Sequence, residues 1–217
     1  MTSDIENDEK IFFYKIFYNL PKLPEDIKNT LLSIAATNEG RKVGKYYVEN
    51  NVADIFEGRE YFKTGEEHLS LGNIELANEI ENWCRENVFP KAHSWRVTKT
   101  EKKPRALVPV HTDRDRQFSL LYLLDTGGEN PRTLFFKEPG QNILRDNNLS
   151  PQGNLDDLVF LKDINIPKET WTVFNSRILH SVVGIDRGRL SLQGYLDNTE
   201  DFLEDGTGYD FLRENQH

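Results

Sequence analysis

The sequence predicts a mainly β domain with flanking helices: a jelly-roll (double-stranded β-helix) core with N-terminal helices packed outside one sheet. Three observations carry this. Helical periodicity is confined to the stretch before Pro90. From there to Leu196 the chain breaks into eight short β-type runs with no convincing helix. Turn residues punctuate those runs at Gly127-Gly128, Pro139-Gly140, Pro151-Gln152-Gly153, Pro167 and Gly188. Short strands of this number close most simply as two packed sheets.

Taken in order, residues 1–9 form an acidic tail expected to be disordered. Ile11 to Tyr18 is rich in aromatic and β-branched residues and too short for a typical helix, so it is expected to be a strand. Pro21 and Pro24 end it, and Glu25-Asp26 open a helix whose Ile27, Leu31, Ile34 and Ala35 share a face, with Gly40 as its stop. Residues 41–70 give weaker signals: a strand over Lys45–Val48, then a turn-like or briefly helical Asp54–Phe62. Asn73 is the expected N-cap of a helix over 74–88, with Ala77, Ile80, Cys84 and Val88 as its buried stripe, Trp83 alongside and Pro90 beyond. The eight strands are expected at 93–100, 105–110, 117–124, 132–136, 158–161, 171–175, 178–183 and 189–196. Glu138–Asp156 is a long polar segment, either a lid or a plain surface loop. In the acidic tail, Phe202, Leu203, Phe211 and Leu212 are candidate docking points. The expected organisation is one domain: tail 1–9, N-terminal strand and helical buttress 10–91, jelly-roll core 92–197 and acidic tail 198–217.

A chain of 217 residues is long enough to bury a core. Its net charge of −9 argues against general nucleic-acid affinity. No apolar run reaches membrane-spanning length, and Met1-Thr2-Ser3-Asp4 resembles no signal or transit peptide. Cys84, the single cysteine, cannot form an intramolecular disulfide, which suits a reducing cytoplasmic compartment. It reads as a small core residue, since no base is placed locally to activate it.

The chemistry centres on Val108-Pro109-Val110-His111-Thr112-Asp113 and on Trp171–Leu192. Residues i and i+2 of a strand share a face, so His111 and Asp113 can reach one point in space. His180, in another apolar run, supplies a third ligand. Two histidines and one carboxylate on one side of an octahedron are the facial triad of non-haem Fe(II) sites. A lone His-x-Asp is weak. Its weight comes from Arg189-Leu190-Ser191, which places a guanidinium and a hydroxyl on one face, able to clamp a carboxylate.

On these residues the sequence resembles the 2-oxoglutarate- and Fe(II)-dependent oxygenases, over roughly residues 92–197. His111, Asp113 and His180 match the family's iron ligands, and Arg189 with Ser191 its co-substrate clamp. Leu121-Tyr122-Leu123-Leu124-Asp125, Gly127-Gly128-Glu129 and Thr133-Leu134-Phe135 resemble its tyrosine-bearing strand, Gly-Gly turn and following strand, with Asn130-Pro131-Arg132 lengthening the turn. The family's prolyl-hydroxylase branch often has Lys where this chain has Arg189, so no prolyl substrate is carried over. The resemblance implies Fe(II), 2-oxoglutarate as co-substrate and O2, with decarboxylation to succinate coupled to C–H hydroxylation of a peptidyl side chain, amino acid or small metabolite. Halogenating relatives lack the carboxylate ligand; Asp113 is present. Tyr122 is either a hydrogen-bond partner of the co-substrate or an aromatic core residue.

Trp95, Arg96, Arg114, Arg116 and Asn175 are candidate substrate contacts beside the triad. With Lys99, Lys102, Lys103, Arg105 and Arg177 they form a basic band that either attracts an anion or is a solvated loop. Two other readings compete: a cupin-like metal enzyme (an isomerase or thiol oxidase), which has no use for Arg-x-Ser, and a non-catalytic binding module, which has no need of all four key positions.

Overall fold

The computed structural model describes residues 10–37, 41–46, 52–53, 60–63, 66–70, 74–100, 106–113, 116–145, 151–202 and 210–213. In chain order the elements are β1 (Lys10–Phe17), α1 (Glu25–Thr37), β2 (Arg41–Tyr46), β3 (Val52–Ala53), β4 (Glu60–Lys63), β5 (Glu66–Ser70), α2 (Ile74–Asn87), β6 (His93–Thr100), β7 (Ala106–His111), β8 (Phe118–Asp125), β9 (Arg132–Lys137), β10 (Val159–Ile164), β11 (Trp171–Asn175), β12 (Leu179–Ile185), β13 (Leu190–Leu196) and β14 (Asp210–Arg213). They form an eight-stranded sheet, β14-β1-β11-β8-β13-β6-β5-β2, and a six-stranded sheet, β10-β9-β12-β7-β4-β3. Apart from β4, which runs parallel to β7, the paired strands are antiparallel. This is the expected jelly roll.

The apolar run of β8 shows why the sheets stack as they do. Phe118, Leu120, Tyr122 and Leu124 join a core cluster with Ile27 and Leu31 of α1 and with Ile80 and Cys84 of α2. Leu121 and Leu123 point the other way, into a second cluster with Phe13, Phe135, Phe174 and Ile178 between the sheets. A strand buried on both faces needs a nearly continuous apolar sequence, and Phe118–Leu124 has one. The same alternation sorts β13. Leu190, Leu192 and Leu196 face the helices, which leaves Ser191, Gln193 and Tyr195 on the inner face.

Both helices lie close to their expected spans. On α2, Ile80 and Cys84 are fully buried, with Trp83 and Val88 packed partly buried against them. Burial pushes the Cys84 thiol well above its usual range, as befits a core residue. The side chains of Ile34, Ala35 and Ala77, and the expected caps Gly40 and Asn73, lie outside the described residues, as does the tail 1–9.

Residues 41–70 depart from expectation. The strand expected over Lys45–Val48 starts earlier, at Arg41, with Tyr47 and Val48 outside the described residues, and part of the turn-like Asp54–Phe62 stretch is β4, with Glu60–Lys63 beside β7. Strands β2 (Arg-Lys-Val-Gly-Lys-Tyr) and β5 (Glu-Glu-His-Leu-Ser) carry too few apolar residues to alternate visibly, as befits strands at a sheet margin. At the other margin, β14 pairs with β1, and Phe202 is buried against Phe12 and Phe118, ring centroids 5.0 and 5.1 Å away. Leu203 and the side chains of Phe211 and Leu212 lie outside the described residues.

The segment after β9 is anchored at its described ends. Glu138 is buried and ion-paired with buried Arg145 at 3.1 Å, and its Oε1 accepts from the backbone N–H groups of Gln152 (2.5 Å) and Gly153 (2.8 Å). Ile143 enters the inner cluster.

Candidate metal centre and its surroundings

The two histidines are brought together by strand register. His180 on β12 lies directly opposite His111, the last residue of β7, and their ring centroids are 4.5 Å apart. Asp113, two residues past His111, is held by its own backbone N–H, which donates to Ser176 O at 3.0 Å. Ligand atoms of the three residues all lie within 4.8 Å of one another. Asp113 Oδ1 is 3.7 Å from His111 Nε2, and Oδ2 is 3.9 Å from His180 Nε2.

The protonation states match a metal-binding role. His180 Nδ1 sits 2.9 Å from Ile178 O, so it carries the proton and donates. Its Nε2 lone pair is then turned toward Asp113 and His111. Burial, with the nearby His111, lowers the His180 pKa to about 4, so the ring is neutral near pH 7. Burial alone pushes Asp113 up, but Arg116, His180 and His111 outweigh it and hold the carboxyl well below its usual range. Two imidazoles and one ionised carboxylate converging from one side fit a divalent first-row metal with positions left open.

Two residues that the sequence reading passed over complete this arrangement. Ser119 Oγ donates to Asp113 Oδ2 at 2.9 Å and lies 2.7 Å from Ser176 Oγ. Ser119 is the one polar residue in the apolar run of β8. A buried polar group in such a place demands a partner, and that was the available signal.

Arg189 is buried and lines a small recess between the sheets, with Thr133, Leu123, Ile166 and Val182. Ser191 is on the same inner face, opposite Leu123 in register. The recess adjoins the triad. Val182 follows His180 by two residues on β12, a step of roughly 7 Å along a strand. Thr133, whose position was obscured by the lengthened turn, faces this recess.

Three expected contacts lie elsewhere. Tyr122 is fully buried on the helix side of β8, where its hydroxyl accepts from Leu23 N at 3.3 Å and its ring packs on Trp171 at 4.6 Å. The even-numbered residues of β8 face the helices, so Tyr122 does not reach the site. Trp95 is on the helix side of β6, 6.3 Å from Trp171, and so close over Gly194 that a Cβ there would lie 2.8 Å from its ring. Asn175 gives its side chain to the backbone: Nδ2 donates to Phe12 O, and Oδ1 accepts from Arg177 N, both at 3.1 Å. Arg96 is on the inner face, with Nε and Nη2 on Gln193 Oε1 at 3.0 and 2.8 Å. Arg116 forms an ion pair with Asp113. Arg114 lies outside the described residues, as do Lys102, Lys103 and Arg105.

These features define a double-stranded β-helix carrying a His-x-Asp…His centre on its inner face. No protein-family model and no curated protein sequence matches the chain. Solved structures do. The non-haem α-ketoglutarate-dependent carbocyclase SnoK from nogalamycin biosynthesis is 11% identical, with a TM-score of 0.51 over 93% of this chain and 92% of that one. The α-ketoglutarate-dependent epimerase SnoN from the same biosynthesis is 16% identical, with a TM-score of 0.49 over 94% and 89%. A prolyl-4-hydroxylase of Pseudomonas putida is 18% identical, with a TM-score of 0.46 over 86% and 94%. The fold is that of the 2-oxoglutarate- and Fe(II)-dependent oxygenases, 2-oxoglutarate being another name for α-ketoglutarate. Among the described residues, no helix is long and apolar enough to cross a membrane.

Proposed function

We propose that the protein is a non-haem Fe(II)- and 2-oxoglutarate-dependent dioxygenase, a hydroxylase that couples decarboxylation of 2-oxoglutarate to succinate with C–H oxidation of a peptidyl side chain, amino acid or small metabolite. The observation that carries this reading is the adjacency of the triad and the Arg189 recess on one inner surface. A metal site alone fits many chemistries. A metal site beside a recess that holds a buried guanidinium fits a short dicarboxylate anchored at both ends.

In this reading His111, Asp113 and His180 hold Fe(II). Ile178 O keeps the His180 proton on Nδ1, and Ser119 orients the Asp113 carboxylate. Arg189 and Ser191 take the far carboxylate of 2-oxoglutarate, while Leu123, Ile166 and Val182 keep water from its methylene groups. Bound Fe(II), with O2, supplies the oxidising chemistry. Asp113 fills the position that halogenating relatives leave open, which favours hydroxylation.

The test is a melting curve under anaerobic conditions. Fe(II) with 2-oxoglutarate raises the melting temperature of the pure protein, and succinate release measured across a substrate panel exceeds the uncoupled baseline for the true substrate class. If neither Fe(II) nor 2-oxoglutarate binds, the reading is wrong.

A further inference from the structure

Arg116 sits where a metal would draw on Asp113. Its Nη2 is ion-paired with Asp113 Oδ1, the oxygen that faces His111 Nε2. Its side chain is 5% exposed and lies 4.3 Å from the centre of the Tyr195 ring. Its Nε and Nη1 have no hydrogen-bond partner among the described residues. A second guanidinium, Arg96, lies 5.3 Å from the same ring and meets Gln193, a neutral acceptor. Arg96, Gln193 and Tyr195 are half-buried, and the His111 side chain is 26% exposed, so the site opens on this side.

Buried guanidinium N–H groups left unmet are costly, and they mark places where a partner is missing. Asp113 answers one edge of Arg116 and would be drawn away by a dication on the same carboxylate. The two carboxylates of 2-oxoglutarate are spoken for by the metal and Arg189 on the opposite side. Resting on the metal-site reading above, we infer that Arg116 is an exchangeable counter-ion. It neutralises Asp113 in the metal-free chain. When the metal takes Asp113, Arg116 turns to an anionic group of the substrate, a carboxylate or a phosphate, with Arg96 beside it.

The experiment is calorimetric titration of the full chain, anaerobically, with and without saturating Mn(II) and 2-oxoglutarate. The probes are propionate, methyl phosphate and neutral propionamide. Propionate or methyl phosphate binds the loaded protein at least about tenfold tighter than the metal-free one, propionamide binds neither, and the stronger anion names the source. Arg116→Gln removes the anion binding and tightens Mn(II) binding, while Arg116→Lys keeps part of both wild-type properties. Three results overturn the inference: anion binding indifferent to the metal, anion binding undiminished in Arg116→Gln (an anion on the metal itself), or Mn(II) binding weakened by that change. If Arg116→Gln does not fold, nitrogen NMR of the wild-type guanidinium groups in Zn(II)- and 2-oxoglutarate-loaded protein decides. A saturable shift at Arg116 with either anion supports the inference, and its absence overturns it. If Mn(II) and 2-oxoglutarate fail to raise the melting temperature, the metal-site reading falls and takes this inference with it, a result separable from failure of the anion titrations alone.

Discussion

His111 and His180 face each other across the β7–β12 ladder as directly opposed residues, so one register sets the distance between two of the three candidate metal ligands. Replacing His180 by Ala removes a donor without touching the Arg189 recess. The expected outcome is loss of the melting-temperature rise produced by Fe(II), Mn(II) or Co(II), with the fold retained by circular dichroism.

Acid should weaken the metal-free protein in a defined window. The folded pKa of His180 is depressed to about 4 from 6.5. Between those values the unfolded chain takes up a proton that the buried ring refuses, so stability falls as pH drops from 6.5 toward 4, by up to about 1.4 kcal/mol per pH unit for one proton. Asp113, also depressed, adds a further loss below its ordinary value of 3.8, because its stabilisation is present only above that range. Urea midpoints from pH 7 to pH 4 measure the slope, and His180→Asn flattens it.

Arg189→Ala separates co-substrate from metal. Loss of a charge-assisted hydrogen bond costs about 1.5–3 kcal/mol, so 2-oxoglutarate binding weakens by roughly 10- to 100-fold or more. Mn(II) affinity measured without 2-oxoglutarate stays close to wild type.

Tyr122→Phe distinguishes the helix-side placement of this ring from a role at the site. It removes the hydroxyl that accepts from Leu23 N, at a cost of about 1 kcal/mol in stability. Affinity for 2-oxoglutarate is unchanged; a tenfold loss would place the hydroxyl at the co-substrate instead.

Glu138→Gln removes one charge from a buried ion pair and weakens the acceptor for the Gln152 and Gly153 N–H groups, which costs about 1–3 kcal/mol. The urea midpoint falls accordingly, and limited proteolysis cuts between residues 138 and 156 faster than in the wild type.

The β-core was legible in the sequence because its strands are buried on both faces. β11 is buried throughout and spans the stretch expected for it, and β8, buried through Leu124, lies within one residue of its expected span. The margins were not: β2, β4 and β5 carry Lys and Glu where a core strand carries Val and Leu, so their pairing is dictated by neighbours and not by their own composition. The triad was legible because i, i+2 spacing on a strand is a geometric statement. Facing was harder. Tyr122 and Trp95 are inward or outward only according to phase, and a one-residue shift of a strand's start reverses it. Phase needs a fixed point. Ser119 provides one on β8, a lone hydroxyl that points inward and therefore sends Tyr122 outward.

The link between Ser119 and Ser176 joins positions 57 apart in the chain. Nothing local can build this centre: it requires the turn before β12 to meet the start of β8, and both sheets to be in register. Chains dominated by such distant pairings fold in milliseconds to seconds, far slower than helix formation. Competence to bind a metal is therefore a late event in folding. A spectroscopic ion such as Co(II), added to refolding protein, would act as a clock for the last step, lagging behind the far-ultraviolet signal of α1 and α2.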